Sequence, residues 1–305
     1  MADLAFLARY PTLRKLLLPA LGVVAFVAFL LLTFPYETLA RRLEVEAQRA
    51  GAELTIGSLG PSGLGGLRAR DVKLRFSPGP SGETPPELKL DRADVNPELL
   101  GFLLKRIAFG FSVEGYGGSA RGRAALSNDP KTPGLSALRI DAKDLDLATL
   151  PLKDLAGVEA AGRLVLKVDL PTLIPVEAAT GTVTVALDQA AVSGGSVQGF
   201  PVPKTSLGRV EGGVTVEKGI AKLDKTSAKG GDIDADVDGN VHLRPLLSLS
   251  QADLHVKFRF ADKWLNDNGM IKGAMGLIQN AKQPDGSYAF TFSGTLTRMT
   301  PRPGR

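Results

Sequence analysis

A mainly β fold behind one N-terminal transmembrane helix is what this 305-residue sequence predicts. Three observations lead there. Apolar residues return at every second position in run after run, the signature of strands with one dry and one wet face. Clusters of Gly, Pro, Asp and Asn separate the runs, as at Asn128-Asp129-Pro130 and Pro284-Asp285-Gly286. Helix-period patterns are scarce, and the longest apolar run stands near the start. The expectation is a curved, largely antiparallel β-sheet with a few short helices. Whether it is an open groove, sandwich-like or barrel-like is left open.

In chain order, residues 1–15 form a short leader carrying Arg9, Arg14 and Lys15. LLLPALGVVAFVAFLLLTF, residues 16–34, has no charged residue. At about 1.5 Å per residue it spans a hydrocarbon core of about 30 Å. Pro19 is tolerable in such a helix. A cleavable signal peptide has a shorter apolar core, and Thr38-Leu39-Ala40 is a weak cleavage site, so the segment reads as a retained anchor. Arg41, Arg42 and Arg49 balance the basic residues ahead of the span, so charge alone does not orient it. A short leader before a long domain favours residues 1–15 in the cytoplasm. The main domain then lies in the periplasm of a bacterial cell, beyond its inner membrane.

Residues 35–50 read as an amphipathic helix at the membrane surface, with Leu39, Leu43 and Ala47 on one face and Gly51 as its stop. Residues 51–296 form the β-rich domain. Val72, Leu74 and Phe76 alternate with charges, as do Leu88 and Leu90; Leu164, Leu166 and Val168; and Leu254, Val256, Phe258 and Phe260. Leu67 and Ala69 have the other parity from Val72 and Leu74, which predicts a bulge near Arg70-Asp71. Several strands start on a glycine: Gly162, Gly181, Gly239 and Gly294. Two helices interrupt: 97–106, with Asn96 as its cap, and one within 261–278 weakened by Gly269, Gly273 and Gly276 and packed down by Trp264 and Leu265. Residues 297–305 read as a mobile basic tail.

Roughly ten half-apolar strands with so few helices to cover them set the central problem. The sheet must curl on itself, pack as two layers, or keep an oily trough that needs a lipid or a partner.

Composition removes several classes of function. There is no cysteine, hence no disulfide and no thiolate site. The 37 basic and 32 acidic residues are dispersed, with no dense basic run and few aromatics, so nucleic acid is not the partner. Gly60, Gly63, Gly65 and Gly66 mimic a phosphate loop, but Leu67 stands where the lysine belongs and a strand follows. Asp234, Asp236, Asp238 and Gly239 mimic half a calcium loop, but Pro245 holds the place of the bidentate glutamate; a strand with its aspartates in water is the better reading. His242 and His255 fall on the polar parity of their strands. No catalytic, cofactor-binding or metal-ligating residue is assigned, and the chain does not read as an enzyme.

Several segments carry a family likeness: FPYETLARRLEVEAQRAG, ELTIGSLGPSGLGGLRARDVKL, DVNPELLGFLLKRIAFGFSVEGYGGSARG, GGDIDADVDGNVHLRPLLSLSQADLHVKFRF and YAFTFSGTLTRMTPRP. From about Phe34 to Pro303 the chain resembles protein N of the bacterial type II secretion system, the GspN family, and in style the AsmA group. The first resemblance implies an inner-membrane accessory component that docks to other secretion components through its curved sheet or the sheet's edge. The second implies a lipid-binding or lipid-transfer protein with an apolar β-groove. Neither brings catalytic residues or cofactors.

Overall fold

The computed structural model describes residues 33–49, 51–63, 65–76, 87–98, 107–129, 132, 134–153, 158–194, 196–197, 200–201 and 203–304, with Phe26 and Phe29. The apolar run at 16–34 therefore lies outside the described residues except for Phe26, Phe29, Thr33 and Phe34. Among the described residues, no helix is long and apolar enough to cross a membrane. Residues 99–106, most of the helix expected at 97–106, also lie outside them.

The mainly β expectation holds. Fourteen strands form one antiparallel sheet in which each pairs with its neighbours in sequence. They are β1 (Ala52–Ser62), β2 (Gly66–Phe76), β3 (Glu87–Pro97), β4 (Ile107–Gly115), β5 (Gly118–Leu126), β6 (Leu135–Asp146), β7 (Glu159–Thr172), β8 (Thr180–Ser193), β11 (Thr205–Glu217), β12 (Ile220–Lys229), β13 (Ile233–His242), β14 (Gln251–Phe260), β15 (Tyr288–Thr295) and β16 (Arg298–Pro303). A two-stranded hairpin, β9 (Ser196–Val197) and β10 (Phe200–Pro201), is inserted between β8 and β11. β1 and β16 do not pair with each other, so the sheet is open rather than a barrel.

An open sheet of this width must curl. Left-handed residues inside strands supply bends: Asp144 in β6, Gln189 in β8 and Gly208 in β11, each beside a register shift. Asp71 corrects the expected bulge. Its φ is +52°, yet the register runs unbroken from Ile56↔Val72 to Ser58↔Arg70. No residue is inserted; the change of parity is shared with β1 and β3. Asn96 is no helix cap, because it pairs with Gly110 and β3 continues past it to Pro97, which pairs with Phe109.

One edge of the sheet is covered by a helix, and the other is interrupted by prolines. Helix α1 (Tyr36–Arg49) lies along β1, where Glu44 Oε1 accepts the Ile56 N–H at 3.0 Å. Leu39, Ala40, Glu44 and Ala47 are half-buried there, whereas Leu43 is exposed, so the packed face is rotated from the one expected. At the far edge, residues 298–303, expected as part of a mobile tail, form β16. The Gly304 N–H donates to Ala289 O at 2.8 Å, so even positions point their backbone groups at β15 and positions 299, 301 and 303 point outward. Two of those three are Pro301 and Pro303, which have no N–H to offer another strand.

The expected helix near 261–278 is present in pieces: α2 (Asp262–Asp267), α3 (Gly269–Met275) and a 3-10 turn (Gly276–Ala281). They close one end of the sheet over an aromatic cluster. Trp264 stacks on Phe260 at 5.1 Å, and Phe258 stacks on Tyr288 and Phe290 at 5.9 and 6.1 Å.

A buried polar knot ties β1, β2 and β3. Asp94, 6 % exposed, accepts from Arg68 Nε at 2.6 Å, Arg92 Nε at 2.6 Å and Ser62 Oγ at 2.9 Å. Burial pushes its carboxyl up, but the bonds from Arg68, Ser62 and Arg92 outweigh this and hold it below the ordinary value. Asp94→Asn is expected to cost about 2 kcal/mol at neutral pH, since it leaves Arg68 without its counter-charge and Arg92 with only Glu114, 4.0 Å away. A carboxyl depressed in the folded state stabilises above its unfolded value and loses that contribution as pH falls through the folded one. Denaturation midpoints of the two proteins should therefore converge below about pH 4.

Candidate apolar binding face

Register places one unbroken apolar row across all fourteen strands. It runs Pro61–Leu67–Val95–Phe111–Gly122–Ile140–Val168–Val183–Val214–Leu223–Gly239–Leu254–Phe292–Pro301. A second row beside it runs Ala93–Val113–Ala120–Ala142–Leu166–Val185. The row one residue over points to the other face and is polar: Arg123–Arg139–Asp169–Thr182–Thr215–Lys222–Asn240–Asp253–Ser293–Thr300. From β5 to β16 the sheet is thus two-sided, because the pairing keeps like side chains opposite one another across the register shifts.

The apolar side has little over it. Among the described residues, the 261–281 segment covers its aromatic end, and Ala179 and Leu243 pack beside Val216, Ala221, Val241 and Ala252 at the opposite ends of the strands. Among the described residues, the largest side chain buried almost completely is Ser250. A domain with a sealed two-layer core buries Leu, Ile and Phe to that degree; among the described residues here they are half-buried or exposed. At about 4.8 Å per strand the row is about 60 Å long.

On the other face, charges pair across strands. Arg139 meets Asp169 at 2.8 Å, and Arg75 meets Glu87 at 2.6 Å. The aspartates of the calcium-like stretch belong to this face. Asp234 lies 3.5 Å from Arg259, Asp238 lies 3.3 Å from His255 Nδ1, and Asp236 is in register with Lys257. Lys257 Nζ itself turns to Asp285 at 2.6 Å; its bond and those from Ser287 hold that carboxyl well below the usual range. Asp234 and Asp238 thus face basic residues of β14, while Asp236 stands opposite Lys257, whose ammonium is engaged by Asp285. Calorimetric titration with calcium is expected to show no heat of binding; a micromolar affinity would contradict this assignment.

His242 and His255 stand on neighbouring strands, His242 opposite Gln251 and His255 opposite Thr291. Among the described residues no group of three or more His, Cys, Asp or Glu is placed to hold a metal. Gly63 and Gly65 sit at positive φ in the β1–β2 turn, and Gly66 packs where a Cβ would lie 1.9 Å from Asn96 Oδ1. The glycine cluster is a hairpin.

Sequence reasoning identified the alternation but not how the rows join. Comparison with known proteins finds no matching family model, no matching curated protein and no matching solved structure.

Proposed function

We propose that this chain is a membrane-anchored protein of the bacterial envelope, and that the apolar side of its sheet holds lipid acyl chains. The unbroken apolar row is the observation that carries the reading. Each methylene taken from water contributes about 0.8 kcal/mol, so acyl chains laid against the row gain many times thermal energy. The row exceeds the length of one acyl chain, which suits several lipids side by side. A helix covers one edge and two prolines blunt the other, which leaves the face for binding. Residues 16–34 supply the inner-membrane anchor, with the main domain in the periplasm. No step in this role needs a catalytic group, cofactor or metal.

Full-length protein extracted in mild detergent is expected to carry phospholipids in native mass spectrometry. Val185→Glu with Val214→Glu should lose most of them, while Lys167→Glu with Thr184→Glu on the charged face should not. Equal lipid content in all three would contradict the proposal.

The resemblance of residues 34–303 to protein N of the type II secretion system favours a second reading, an accessory component docking to other parts of that apparatus. A helix-covered edge and a proline-blunted edge favour docking through a face over strand addition. Deleting the gene should lower extracellular enzyme levels; unchanged secretion would remove this reading.

A further inference from the structure

Three successive connections at one end of the strands expose large apolar residues beside cations. The β11–β12 turn carries Lys218 and Ile220, the β13–β14 connection carries Arg244, Leu246 and Leu249, and the β15–β16 turn carries Leu296, Arg298 and Met299. Leu246 and Leu249 are 65 % and 56 % exposed.

These connections are bonded into one platform. The Leu243 N–H donates to Gly219 O at 2.8 Å, and the Leu296 N–H donates to Ser250 O at 3.0 Å. Ser250 Oγ, wholly buried, accepts the Arg244 N–H at 3.0 Å, and Thr297 Oγ1 donates to Ser248 O at 3.4 Å. The leucines are therefore held outward by a fixed backbone. Among the described residues, Lys218, Arg244 and Arg298 have no ion-pair partner, and neither 243–250 nor 296–299 contains an acidic residue. Glu217 precedes Lys218 in the β11–β12 turn, and the Glu177 backbone lies beside Gly219.

We infer that this platform docks on an anionic phospholipid bilayer, the leucines entering the interface while the three cations meet lipid phosphates. Exposed apolar tips interleaved with unpaired cations match the two layers of such a surface, apolar below and negatively charged above. A protein partner with the same complementarity would be an outcome of the test. The inference rests on the reading of the chain as an envelope protein but not on acyl chains in the sheet.

The chain has no cysteine, so single labels are unambiguous. Full-length Leu249→Cys carrying an environment-sensitive fluorophore would be reconstituted in phosphatidylcholine vesicles with and without phosphatidylglycerol, with headgroup-depth nitroxide lipid as quencher. A blue shift and quenching are expected only with phosphatidylglycerol. The changes K218E, R244E and R298E together should shift the docked-to-free ratio about 100-fold towards free. A label on Leu277→Cys, at the opposite end of the strands, should stay in water. If the label at 249 behaves as in water, or is quenched equally without phosphatidylglycerol, docking is overturned. A label on Val185→Cys reports the sheet face separately, so a shielded position 185 beside a wet position 249 would remove the docking inference alone.

Discussion

Trp264→Ala is expected to destabilise the domain by about 3–5 kcal/mol, in the range for an aromatic removed from a packed site. Trp264 is 8 % exposed, stacks on Phe260 with the planes 4° apart, and donates its Nε1–H to Lys204 O at 3.4 Å. It pins α2 to the end of the sheet. Without it, Met275 and Ala281 lose their seat over Phe258, Phe290 and Tyr288. Trp264→Phe keeps the stack and loses the hydrogen bond, so it should cost about 1–2 kcal/mol. Denaturation has to be followed by circular dichroism, because Trp264 is the single tryptophan. Equal midpoints for wild type and Trp264→Ala would show that the helical segment does not secure this end.

Gly239→Ala is expected to cost about 3 kcal/mol or more, through backbone rather than packing. Its φ is +141°, a region that side chains rarely permit. A Cβ there would lie 2.2 Å from Asp253 O and 2.8 Å from Leu254 Cα, so β13 has to part from β14. Gly60→Ala is the control. Its φ is ordinary and nothing lies within 4 Å of the added carbon, so the change should stay within about 0.5 kcal/mol. Similar losses at both positions would contradict the steric account.

These two sites show what the sequence made legible. The glycine pattern at 162, 181, 239 and 294 marks special backbone, since all four adopt φ between 131° and 145°, but not strand starts: only Gly181 stands near one, whereas Gly162 lies inside β7 and Gly239 and Gly294 fall late in β13 and β15. The breaks in α2 and α3 follow Gly269 and Gly276. Two-residue periodicity gave the class of the fold and the wet side of the aspartates. What it missed has physical reasons. Strand β5 places Ala120, Gly122 and Ala124 on the apolar face, too small to stand out against Arg121 and Arg123. Strand β16 contains two prolines, which read as a tail because proline opposes pairing; as an edge strand it turns those positions away from β15. The kink at Asp71 looked like an inserted residue because parity alone cannot distinguish a bulge from a shared bend. Least legible was the candidate site, since a row across fourteen strands depends on register, and register between strands is not written in any one of them.

Under the proposed function, one side of the sheet carries lipid along its whole width. The most direct measurement places a photoreactive amino acid singly at Val168, Asp169, Asp253 and Leu254 in the full-length protein and counts lipid adducts after illumination in cells. Capture at 168 and 254 with none at 169 and 253 is the predicted result. Equal capture at all four, or none at 168 and 254, would contradict it.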